Sequence, residues 1–184
     1  MKTILGIISF ALLLSISISC GDADSGSSDT SAMNDAKATE AKPVVTSTGS
    51  NNLFTVQDLS GQVRTADEWI GKQPVVINFW GTWCPPCRRE IPELVKLYDE
   101  YRSKGVEIIG VALERSAGPS QVQQFAAQNG MDWVLVLGNQ QIAETYQIQS
   151  VPTIVTYDAS GKEVDRLIGL QSPSTLKSAF ESII

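Results

Sequence analysis

From Pro74 to Trp80 the chain runs Pro-Val-Val-Ile-Asn-Phe-Trp, almost without a polar interruption, and just beyond it stands Cys84-Pro85-Pro86-Cys87. A strand-forming run with no polar alternation is a central strand covered on both faces. Ile91, Leu94, Val95, Leu97 and Tyr98 then recur at helical spacing from Pro85 to about Arg102, with Gly105 as the stop, which is a helix buried along one stripe. Two cysteines are thereby fixed where a buried strand hands over to a helix. Pro85 and Pro86 fall in first-turn positions, where a missing N–H costs least.

The rest of the pattern fits around that junction. Phe54 to Leu59 and Val63, separated by Ser60-Gly61, read as a hairpin, and Trp69 sits in a short helical turn closed by Gly71. Val106 to Leu113 is a second buried strand, followed by a helix around Ser120 to Gln128 with Val122, Phe125 and Ala126 inward and Asn129-Gly130 ending it. A short strand at Trp133 to Leu137 and a helix near Gln140 to Tyr146 lead to strands Thr153 to Tyr157 and Glu163 to Ile168, joined by the turn Asp158 to Gly161. Ser172-Pro173 opens a last helix with Leu176, Ala179, Phe180 and Ile183 on one stripe. This order predicts an α/β domain, a central mixed sheet with helices on both sides.

The folded part is expected over residues 53–184. Residues 1–19 have a charged start at Lys2 and an apolar run from Ile4 to Ile18, the architecture of a signal peptide, with an uncleaved anchor as the competing reading. The segment resembles a bacterial lipoprotein signal, in which cleavage precedes a cysteine that becomes lipidated; Cys20 occupies that position, and plain secretion with cleavage nearby is the alternative. Residues 20–52 turn to Ser, Asp, Ala, Thr and Gly, with Val44 and Val45 the only adjacent bulky apolar pair. So little apolar surface cannot offset the entropy of ordering, so this stretch reads as a polar tether. The formal net charge of -6 without a block of basic residues argues against a nucleic-acid partner, and the absence of histidine removes the commonest general base and transition-metal ligand.

Lipidation of Cys20 would leave Cys84 and Cys87 as the only thiols of the mature chain. The start of a helix stabilises a thiolate through its free N–H groups and partial positive charge, so Cys84 is the expected nucleophile. Cys87, three residues on, shares its face and can attack a mixed disulfide formed at Cys84. Arg88 and Arg89 add positive potential, partly countered by Glu90. A zinc site lacks further ligands, and a structural cross-link over so small a loop gains little. A redox pair is the reading that survives, with no metal and no cofactor.

The segment Phe79-Trp-Gly-Thr-Trp-Cys-Pro-Pro-Cys-Arg-Arg-Glu-Ile-Pro-Glu-Leu94 closely resembles the active-site segment of the TlpA/ResA-like branch of thioredoxins. Trp83, Pro92 and Val151-Pro152-Thr153 also fall where that family has counterparts, so the resemblance covers about residues 53–184. It implies a thioredoxin fold with an N-terminal hairpin and an inserted βα unit. It also implies a kink at Pro92, which a proline inside a helix should cause on physical grounds as well. Pro152 is expected to be cis and to lie against the cysteines, with the backbone of Val151 pairing with a substrate peptide. Asn78 stands where thioredoxins carry a buried aspartate. By resemblance a glutamate of the inserted unit takes over proton transfer, with Glu114 the candidate and a plain surface carboxylate the alternative.

The function so implied is an extracytoplasmic protein-disulfide oxidoreductase on the periplasmic or cell-envelope side of a membrane. It would be lipid-anchored or secreted, monomeric, and fed electrons by a membrane thiol reductase. Reduction of protein disulfides, as in cytochrome c maturation, is the expected direction. Two alternatives compete. A peroxiredoxin-like peroxidase has Pro and Thr or Ser ahead of its cysteine, where this chain has Ile77 and Gly81. A copper-delivery module needs a third soft ligand, and methionine occurs only at 1, 33 and 131.

Overall fold

In the computed structural model residues 54–184 are described; the expected signal segment, Cys20 and the tether lie outside the described residues. Strand β3 (Val75–Trp80) is buried at all six positions, because helices cover both faces of the sheet it centres. Its neighbours are β4 (Glu107–Ala112), parallel to it, and β6 (Thr153–Tyr157), antiparallel. β5 (Val134–Leu137) and β7 (Glu163–Ile168) complete a mixed sheet in the order β5-β4-β3-β6-β7.

Alternation along β3 divides the core into two layers. Val76 and Trp80 face the layer built with α1 (Pro85–Tyr101), α2 (Pro119–Gln128) and α4 (Pro173–Glu181). Val75, Ile77 and Phe79 face the other layer, where α3 (Gln140–Thr145) contributes Ile142 and the N-terminal segment contributes Phe54, Val56, Trp69 and Ile70. Gly110 sits opposite Asn78 in the β3/β4 register. A Cβ there would come within 2.6 Å of Leu135 and 2.9 Å of the Trp133 indole nitrogen, so glycine lets these side chains and Trp80 close over β4.

The hairpin of β1 (Thr55–Gln57) and β2 (Val63–Thr65) lies against the sheet edge. Asp58 bridges Val136, and the Leu59 N–H donates to the Leu135 carbonyl at 3.3 Å, so backbone groups of β5 that would otherwise form an open edge are used. Arg64 holds the hairpin by pairing with Glu68 and Asp58 while stacking 4.7 Å over Trp69.

The expected elements are present, with shifts at their ends. Helix α2 begins at Pro119, and Phe125 is only half-buried, its ring tilted against Trp80 at 5.5 Å. Helix α1 continues through Pro92, which supplies no N–H to the Arg88 carbonyl, and its final turn closes at Gly105 in the left-handed region.

Candidate active site

Cys84 caps the N-terminus of α1: its sulfur accepts the Cys87 N–H at 3.2 Å, and the two cysteines are joined by a disulfide. Pro85 and Pro86 follow at the first helical positions. Exposure does not separate the two sulfurs' roles, since Cys84 is 2% and Cys87 1% exposed. Position does. Only Cys84 lies beside the Val151 carbonyl, with its sulfur 3.5 Å from that oxygen, and the Val151–Pro152 peptide is cis. The Gly169 N–H donates to the Pro152 carbonyl, so the end of β7 flanks this spot with exposed Ile168 and Leu170.

The loop in front of Cys84 is fastened from two elements. Glu114, just past β4, accepts the Thr82 N–H at 2.6 Å and the Thr82 hydroxyl at 2.9 Å, so both its oxygens are engaged in holding the loop. From α1, the Arg88 guanidinium donates to the Thr82 carbonyl at 2.7 Å. The Trp83 indole donates to the Leu113 carbonyl at 3.0 Å, and the Arg115 guanidinium lies 3.8 Å over its ring. Trp83 packs so tightly on Gly81 that a Cβ there would meet the indole nitrogen at 2.6 Å. The hydroxylated residue that a peroxidase would place at this position therefore requires Trp83 to move.

Glu90 differs from its expected role. It is 3% exposed, buried one turn beyond Cys87, and does not offset the arginines at the surface. Its Oε1 accepts the Gln171 N–H at 3.1 Å, and its Oε2 has no hydrogen-bond partner among the described residues. Burial pushes its carboxyl up to about 7, against the smaller opposing effect of the Gln171 N–H. The signal for this was present in the spacing: Cys87, Glu90, Ile91 and Leu94 stand at i, i+3, i+4 and i+7, the stripe that faces the core. Asn78 is likewise buried, with its Oδ1 unpartnered among the described residues.

A cysteine pair at the head of a helix, closed by a cis-proline loop on this sheet, defines a thiol–disulfide oxidoreductase of the thioredoxin fold. The AhpC/TSA family matches residues 51–164, and the chain belongs to it. Within that breadth it is a ResA-like protein-disulfide oxidoreductase, being 37% identical over 131 residues to the thiol-disulfide oxidoreductase ResA of Bacillus thuringiensis, across 71% of this chain and 74% of that one. Solved structures agree. The thioredoxin domain of a thiol-disulfide oxidoreductase from Bacteroides vulgatus is 26% identical with a TM-score of 0.63, over 76% of this chain and 99% of that one. A secreted disulfide oxidoreductase of Mycobacterium tuberculosis is 26% identical with a TM-score of 0.61, over 70% of this chain and 95% of that one.

Proposed function

We propose that this chain reduces disulfides of client proteins outside the cytoplasm, as in cytochrome c maturation, with Cys84 as nucleophile and Cys87 as resolving thiol. The observation that carries the assignment is the Cys87 N–H aimed at the Cys84 sulfur beside the Val151 carbonyl. In the reduced protein the same N–H stabilises a Cys84 thiolate. That thiolate attacks one sulfur of the client disulfide; a Cys84–client bond forms, the client S–S bond breaks, and the departing thiolate takes a proton. Cys87 then gives its proton to a base and attacks the Cys84 sulfur. The second client thiol leaves, the Cys84–Cys87 disulfide forms, and two electrons have passed to the client. A membrane thiol reductase would return the pair to the dithiol.

Glu90 is the base we assign to Cys87, since it is buried on the same helical face and its carboxyl changes protonation near neutral pH. Glu114 becomes a positioning residue, fixing Thr82 and hence the approach to Cys84. Val151 offers its carbonyl to an extended client segment.

The potential of the Cys84–Cys87 couple tests the direction. Equilibration in glutathione or dithiothreitol buffers, followed by tryptophan fluorescence, is expected to give a value near the reducing thioredoxin end, about -270 mV; a value near about -120 mV makes the protein a disulfide donor instead. The extracytoplasmic setting is supported by the signal-like residues 1–19 and by the secreted relative of Mycobacterium tuberculosis. Lipidation at Cys20 predicts incorporation of labelled palmitate into the full chain in bacterial cells and its loss in Cys20→Ser; equal labelling of both refutes it.

A further inference from the structure

We infer that the redox site selects client disulfides flanked by acidic residues, a deeper reading that rests on the proposed thiol–disulfide exchange. The chain carries a formal net charge of -6, so a general attraction for acidic partners is not expected of it. Around the cysteines the balance is reversed. Arg88, Arg89 and Arg115 are all exposed, and among the described residues none has a carboxylate partner. Elsewhere every arginine among the described residues is paired, Arg64 with Asp58 and Glu68, Arg102 with Asp99 and Arg166 with Glu163, as are Lys96 with Glu93 and Lys177 with Glu100, while Lys72, Lys104 and Lys162 stand apart without an ion pair among the described residues.

The geometry ties this unpaired charge to the approach to Cys84. Arg88 is bonded to the Thr82 carbonyl, two residues before the nucleophile, and Arg115 is stacked on Trp83, one residue before it. The two nearby acids do not cancel them. Glu90 is turned into the core, and Glu114 spends both oxygens on Thr82, leaving a single negative charge against three positive ones. Across the site the surface is uncharged and apolar, with Ile168 62% and Leu170 45% exposed beside Pro152. An extended client crossing Cys84 therefore meets guanidinium groups on the Trp83 side and apolar side chains on the Pro152 side. The partner that fits is a disulfide-bearing segment with carboxylates beside one cysteine and an apolar residue beside the other.

The test compares two disulfide-bonded peptides that differ only in having Glu or Lys at the positions flanking one cysteine. Each rate of oxidation of the reduced protein, followed by stopped-flow tryptophan fluorescence, is divided by the rate for cysteamine with the same peptide, whose attacking thiolate is balanced by its own ammonium group, which removes intrinsic differences in disulfide reactivity without adding a net anionic nucleophile. The expected result is a preference for the Glu peptide of about tenfold or more at low ionic strength, collapsing toward unity near 1 M salt as screening shortens to about 3 Å. In the double variant Arg89→Glu, Arg115→Glu the preference is expected to invert. The salt dependence of the unsubstituted protein decides the matter even if that variant folds poorly. Equal rates, or a preference for the Lys peptide, with normal exchange on the uncharged 2-hydroxyethyl disulfide, overturn the charge selection and leave the oxidoreductase reading standing. No exchange with any disulfide overturns both.

Discussion

Replacing Cys84 with serine is expected to abolish disulfide exchange, a loss of about a thousandfold or more, while replacing Cys87 with serine should halt the reaction midway with client attached to Cys84. The asymmetry follows from position. Cys84 has the helix N-terminus and the Val151 carbonyl beside it, whereas Cys87 lies one turn inside the helix, both being part of the same core layer as Ile91 and Leu94. With Cys84 removed, the remaining thiol has neither the stabilising N–H nor the place beside the Val151 carbonyl. With Cys87 removed, attack proceeds and resolution does not. Non-reducing gels with a disulfide-bonded client read the outcome: Cys87→Ser accumulates a reducible covalent adduct and Cys84→Ser does not. An adduct on Cys84→Ser with none on Cys87→Ser reverses the roles assigned here.

The parts of this site that were legible in the sequence are those governed by local periodicity. An apolar run, two prolines and a helical stripe suffice to place a cysteine pair at the head of a helix, and the β3–α1 junction is as expected. The strand after Pro152 and the last helix follow for the same reason. What escaped depends on contacts between distant segments. The hold of Glu114 on Thr82 joins residues 32 positions apart, and only folding shows both carboxylate oxygens occupied there. Arg88 reads as surface charge until its guanidinium is seen on the Thr82 carbonyl. Glu90 was partly legible through its register with Cys87, but its charged side chain directed attention to the surface. Gly110 carries no signal at all until Trp133 and Leu135 are brought over it from β5 and the residue before it.

For Glu90→Gln the largest change is expected in pH dependence. The folded carboxyl is raised by burial from the ordinary 4.5 to about 7, so the folded state holds this proton more tightly than the unfolded chain does. Its contribution is therefore fully present below about pH 4.5 and is lost as pH rises through about 7, where ionisation places an incompletely partnered charge in the core. The span corresponds to at most about 3 kcal/mol. Glutamine keeps an oxygen for the Gln171 N–H and cannot ionise, so the variant should lose this decline and exceed the parent in stability at pH 8. Urea titrations of the oxidised protein at pH 5 and pH 8 measure it, because the disulfide removes both thiols from the titration. Glu107, also raised by burial, remains in both proteins and cancels in the comparison. The catalytic consequence runs the other way: without a base for Cys87, release of client from Cys84 slows and the mixed disulfide persists, a milder form of the Cys87→Ser defect. A variant that matches the parent's stability change between the two pH values, and resolves mixed disulfides at the parent's rate, assigns both the titration and the proton to another group.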